Sequence, residues 1–90
     1  MNQDLPLVSV IMNAHNAELY INEAIISVLN QTYKNWELIV WDNQSEDKTS
    51  QIVNNFNDDR IRYYLSENFS PLGEARNLAI LKSKGSLIAF

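Results

Sequence analysis

Two short polar clusters in this chain could do chemistry. Asn13-Ala14-His15-Asn16-Ala17-Glu18 follows the mostly apolar run Leu7 to Met12, and Asp42-Asn43-Gln44-Ser45 follows the apolar run Leu38 to Trp41. His15 offers a flat ring for stacking. Asn43 offers an acceptor and a donor on one planar edge, enough to pair with uracil or thymine. Glu18 and Asp42 can accept from ribose hydroxyls or orient neighbouring groups. Asn13 opens the first cluster and is a candidate contact with it. No glycine-rich loop follows the first apolar run, so neither a dinucleotide fingerprint nor a P-loop is present. The residue types suit a base and a sugar better than a phosphate cradle.

Plainer roles compete for the same residues. His15 can be a loop residue, and Asp42 can cap a turn or a helix. Ser45 fits the N-cap of a second helix better than a ligand contact. Trp36 and Trp41 read as packing residues, and Gln31-Thr32-Tyr33 as a helix exit. Glu37 reads as solvated. Asp58, Asp59, Arg60 and Arg62 read as a charged surface.

The elements that would position the clusters alternate. Leu7 to Met12 and Trp36 to Trp41 read as buried strands. Ile21, Ala24, Ile25, Val28 and Leu29 form one stripe of a helix from about Leu19 to Asn30. Ile52, Val53 and Phe56 mark a weaker helix from Asp47 to Phe56, with Glu46 and Asp47 at its positive end. Ile61 to Leu65 is a third, half-exposed strand. Ser70-Pro71 reads as an N-cap and first helical position for a third helix carrying Leu72, Ala75, Leu78 and Ala79. Lys82 and Lys84 lie near its negative end, and Gly85 fits a left-handed C-cap. Ser86 to Phe90 begins a fourth strand. This order predicts an α/β, Rossmann-like parallel sheet of about four strands with three helices. In such a sheet ligands bind beyond the carboxyl ends of the strands, where both polar clusters fall.

Composition bounds the function. The 90 residues form at most one domain, and 46% of them are apolar, as in an ordinary globular chain. There is no cysteine, hence no disulfide or thiolate metal site. The net charge of −4, with dispersed cations, argues against a nucleic-acid partner. No run of apolar residues is long enough for a transmembrane segment, and the N-terminus lacks the pattern of a signal peptide. A receiver-like domain would need acidic residues after its first strand and an Asp after its third. Asn13 and Leu65-Ser66 stand there instead.

From Leu5 to Phe90 the order of motifs resembles the N-terminal part of the family 2 glycosyltransferases. Pro6 to Met12 is similar to the family's opening strand, with Asn16 and Glu18 in the turn after it. Ala24 to Tyr33 is similar to its first helix and exit, and Asn35 to Asp47 to its second strand and acidic turn. Gly73 to Ile80 and Lys84 to Phe90 are similar to its third helix and fourth strand. The chain departs from the pattern at Asn13, usually Pro, and at His15, usually an aromatic such as Tyr. Asn43 stands for the commoner second Asp, and Gln44 for a frequent Gly.

The resemblance implies the nucleotide-sugar-binding part of a GT-A fold over residues 1–90, truncated before the family's Asp-x-Asp motif. It implies a nucleotide-binding set of Asn13, His15, Glu18, Asp42, Asn43 and Arg76, the last from the family's Arg-Asn pair. The implied donor is a uridine or thymidine diphosphate sugar, and the acceptor a saccharide or other cell-surface glycan, with inversion. The metal ligands for Mg²⁺ or Mn²⁺ and the catalytic base are expected outside these residues, which alone would be inactive. The implied location is cytoplasmic, at the inner face of the membrane. A non-catalytic nucleotide-binding or interaction module is the alternative.

Overall fold

A computed structural model describes residues 5–90. The elements are β1 (Val8–Ala14), α1 (Ile21–Leu29), β2 (Trp36–Asp42), α2 (Thr49–Asn54), β3 (Ile61–Leu65), α3 (Leu72–Leu81) and β4 (Leu87–Ala89). The strands form one parallel sheet in the order β3-β2-β1-β4. Three strands with three helices and a returning fourth is the architecture that the alternating pattern predicts.

The sheet's period of two sorts its central strand between two cores. Trp36, Leu38 and Val40 of β2 face Ile21 and Ile25 of α1 and Val53 of α2. Ile39 and Trp41 face the other way, with Ile11, against Ala75 and Ala79 of α3. The small alanines let α3 lie close to the strands. Burial on both faces explains why β2 reads as a continuous apolar run. Two carboxylates interrupt it, Glu37 near its start and Asp42 at its end.

Several boundaries differ from expectation. β1 runs on to Ala14, because its pairing with β2 continues to Ala14 opposite Asp42. Asn13 is thereby a strand residue. α1 starts at Ile21 and α2 spans only Thr49–Asn54. Ser45 does not cap α2. The Asp47 carboxylate accepts the Thr49 N–H at 2.9 Å instead, while Ser45 Oγ accepts the Asn16 N–H at 2.8 Å. Pro71, with φ −58° and ψ 155°, takes the N-cap position of α3 in place of Ser70, whose backbone is used elsewhere. Gly85 is not a left-handed cap either: no glycine has positive φ, and α3 ends at Lys82 in the right-handed region.

Glu37 is buried rather than solvated. On the α3 face of β2 its carboxylate accepts from Ser9 Oγ and from the Lys84 N–H, both at 2.5 Å, and pairs with Arg62. Ser9 Oγ in turn accepts the Gly85 N–H at 2.8 Å. This network ties the turn after α3 to the amino end of the sheet and sets where β4 begins. Burial pushes the Glu37 carboxyl up, but these hydrogen bonds and the Arg62 charge outweigh it and hold it below its ordinary value. Arg60, read as surface, lies over the Trp36 ring at 3.9 Å and pairs with Asp58.

Candidate functional site

The two polar clusters meet because β1 and β2 are parallel neighbours in register. Asn43 N–H donates to the Ala14 carbonyl at 2.7 Å, carrying the ladder one step past the strand ends. His15 Nδ1 then lies 2.7 Å from the Asn43 carbonyl oxygen. A carbonyl only accepts, so Nδ1 carries the proton, and a neutral ring presents Nε2 as its acceptor. The Asn16 amide nitrogen lies 3.4 Å from that Nε2.

Two residues in these turns adopt left-handed backbone, Asn16 with φ 50° and Gln44 with φ 62°. Asparagine tolerates that region well. Asn16 also uses its side chain there, accepting the Glu46 N–H at 2.8 Å. Gln44 reaches across to the Ser66 carbonyl through its amide.

A cavity of about 230 Å³ opens at this end of the sheet. Asn13, His15 and Asn43 line it from the strand ends, and Phe69, Leu72 and Ala75 from the start of α3. Its walls are largely apolar, and the His15 and Phe69 rings meet edge to face with centroids 5.1 Å apart. Whole small-molecule sites usually run to about 300–1,000 Å³. This space therefore suits one flat ring of a larger ligand.

The six candidate residues do not all converge. Asn13, His15 and Asn43 share the cavity wall. Asp42 lies beneath it, buried, accepting the Ser45 N–H at 2.9 Å and the Tyr63 hydroxyl. Burial, reinforced by Asp42, pushes the Tyr63 hydroxyl's pKa well above its ordinary value. Glu18 is outside the lining; its carboxylate accepts the Lys48 N–H at 3.0 Å, at the start of α2. Arg76 is exposed on α3, its guanidinium 4.9 Å from the Phe90 ring beyond β4.

The Asn43 amide is bound by the protein itself. Its Oδ1 accepts the Ser70 N–H at 2.9 Å and its Nδ2 donates to the Ser70 carbonyl at 2.6 Å. Both ends of the amide are engaged by the Ser70 backbone, which leaves one N–H and one lone pair uncommitted. Asn43 thereby clamps the loop that leads into α3. The Ser70 backbone and Phe69 were not among the candidates. The signal for them was topological: a loop after β3 opens at the same sheet end as the loops after β1 and β2.

Among the described residues, no three His, Cys, Asp or Glu side chains come together to hold a metal ion. No helix among them is long and apolar enough to cross a membrane.

Comparison with known proteins gives this geometry a family. The model of glycosyl transferase family 2 matches residues 9–90. The chain belongs to glycosyl transferase family 2. An Escherichia coli relative, UDP-Glc:alpha-D-GlcNAc-diphosphoundecaprenol beta-1,3-glucosyltransferase, is 46% identical over 84 residues, which cover 93% of this chain and 33% of that protein. An uncharacterized glycosyltransferase of Haemophilus influenzae is 40% identical over 97% of this chain and 36% of its own length. The chain thus spans about a third of the length of these relatives. The crystal structure of S. aureus TarS 1-349 in complex with UDP superposes with a TM-score of 0.84 at 32% identity, over 90% of this chain and 25% of that one. The fold is that of the GT-A glycosyltransferases. A Pyrobaculum calidifontis mannosyltransferase in complex with GDP-Man and Mn²⁺ shares it, with a TM-score of 0.84 at 24% identity over 92% of this chain and 26% of that chain.

Proposed function

We propose that the protein transfers a sugar from a uridine or thymidine diphosphate sugar to a saccharide or other cell-surface glycan acceptor, with inversion. The observation that carries this reading is the cavity at the carboxyl ends of β1 and β2, roofed by the start of α3. It offers apolar walls and the rings of His15 and Phe69 to a flat base. Relatives named for UDP-Glc donors and a UDP complex of the same fold support a uridine nucleotide.

The part of this chain in the reaction is to bind and orient the donor. The base lies against His15, whose ring is held by the Asn43 carbonyl. Asn43 fixes the Ser70 loop over the site, and Asp42 holds the turn beneath. Arg76, exposed on α3 and outside the cavity lining, would have to swing away from the Phe90 ring to meet the diphosphate. A divalent metal would stabilise the departing diphosphate when bound, but the described residues contain no ligand set that fits it. Inversion requires attack of an acceptor hydroxyl on the anomeric carbon as a base takes its proton. We assign that base to none of these residues. The names of two relatives, from E. coli and Campylobacter jejuni, contain diphosphoundecaprenol or PP-undecaprenol. These names support our reading that the reaction takes place in the cytoplasm at the inner face of the membrane.

A nucleotide-binding module without catalysis is the second reading. Incubating the full-length protein with UDP-glucose or dTDP-glucose, Mn²⁺ and a lipid-linked saccharide separates the two. A glycosylated product of inverted configuration is expected. Tight UDP binding without transfer or hydrolysis of any nucleotide sugar would leave the module reading.

A further inference from the structure

We infer that Asn13 reads the base, donating from Nδ2 to the O4 carbonyl of a uracil-type ring. The inference rests on the nucleotide reading of the cavity and adds the group that selects the base. Asn13 lines that cavity, and its Nδ2 is shut off from solvent with no hydrogen-bond partner. A buried N–H without an acceptor is rare and costly. Of the other polar groups nearby, Trp41 Nε1 is also buried without a partner, but Trp41 lies outside the cavity lining. Asn43 spends its amide on Ser70, and His15 spends Nδ1 on the Asn43 carbonyl. Within the cavity lining Asn13 therefore holds a buried donor without a partner, and reading the base requires a rotation of its amide that turns this donor into the cavity.

The geometry of a pyrimidine nucleotide decides which atom it meets. N1 carries the ribose, and the ribose and diphosphate must reach the open mouth. C4 lies across the ring from N1, so its substituent points deepest. In uracil that substituent is a carbonyl, which accepts. In cytosine it is an amino group, which donates and would face the Asn13 N–H as donor to donor. The site thus favours uridine over cytidine, although the two bases have nearly the same shape.

Calorimetric titration of the protein with UDP and with CDP tests this, using Asn13→Asp and Asn13→Leu with thermal denaturation as a control of folding. The unmodified protein should prefer UDP. Asn13→Asp, nearly isosteric but offering only acceptors, should weaken UDP roughly tenfold and improve CDP relative to it. Asn13→Leu should weaken UDP by a similar factor without a gain for CDP. Unchanged UDP affinity and an unchanged UDP-to-CDP ratio in both variants would overturn the assignment while leaving the nucleotide reading intact. If the unmodified protein binds neither nucleotide, the nucleotide reading fails and this assignment falls with it.

Discussion

The imidazole Nδ1 of His15 and the carbonyl oxygen of Asn43 lie 2.7 Å apart, joining the two turns that form the wall of the cavity. The bond sets the tautomer of the ring and the plane in which it lies. It also makes the ring's orientation depend on β1 and β2 staying in register, because Asn43 is held by Ala14 on one side and Ser70 on the other.

Replacing His15 separates these roles. His15→Phe keeps a flat ring but removes the bond, so stability should fall by about 1 kcal/mol while UDP affinity changes little. His15→Ala removes the stacking surface as well and should weaken UDP by roughly tenfold. Calorimetry alongside chemical denaturation distinguishes them. Equal affinity in both variants would show that no base stacks on this residue.

Glu37 governs stability in acid. Its carboxyl is held below its ordinary value in the folded chain, so it binds its proton more readily when unfolded. The stabilisation is fully present above the unfolded value, about 4.3, and is lost as pH falls through the lower folded value. Asp47 and Asp58 are shifted the same way by hydrogen bonds and add to the acid limb. Glu37→Gln leaves Arg62 without its counter-charge in a largely buried setting and should cost about 3 kcal/mol near neutral pH. Denaturation from pH 7 to 3 should show a shallower acid loss in the variant than in the unmodified protein. Parallel curves would mean that the Glu37 network does not titrate with folding.

Gly85 is required by space. A Cβ there would meet Ser9 Oγ at 2.5 Å, the Leu7 carbonyl at 2.6 Å and the Ser9 nitrogen at 2.8 Å. Two of these are backbone atoms of the sheet and cannot yield cheaply. Gly85→Ala should destabilise by about 1–3 kcal/mol and loosen β4 from β1. Faster amide exchange at Ser86 and Leu87, whose N–H groups donate to the Leu7 carbonyl, would report the loosening, and a variant as stable as the unmodified chain would contradict the close approach.

Gln44 tests the left-handed turn. Gln44→Gly and Gln44→Ala both lose the amide contact to Ser66, but only alanine retains the steric conflict of φ 62°. The glycine variant should be the more stable of the two by about 1 kcal/mol. Identical unfolding midpoints would show that the turn relaxes.

Much of this was legible in the residues. The apolar run of β2 and the stripe of α1 mark their elements, and the alternation predicts the sheet. Both polar clusters lie at the expected carboxyl edge. What escaped reading depended on contacts distant in sequence. Glu37 looks like a solvated strand residue until Ser9, Arg62 and Lys84 close around it. Asn43 looks like a free amide until the Ser70 backbone takes both its ends. Gly85 and Ser70 have the residue types of helix caps, but tertiary contacts claim them for other purposes. Asn13 reads as a turn residue because a polar side chain breaks the apolar run one residue before the strand ends at Ala14.

The central claim is that a nucleotide base enters the cavity between the strand ends and the start of α3. Amide and side-chain NMR shifts during titration with UDP test it most directly. The largest changes should fall at Asn13, His15, Asn43 and from Phe69 to Ala75, with Ser9, Gly85 and the outer face of α2 unmoved. Saturable shifts centred elsewhere, or none at millimolar UDP, would contradict the account.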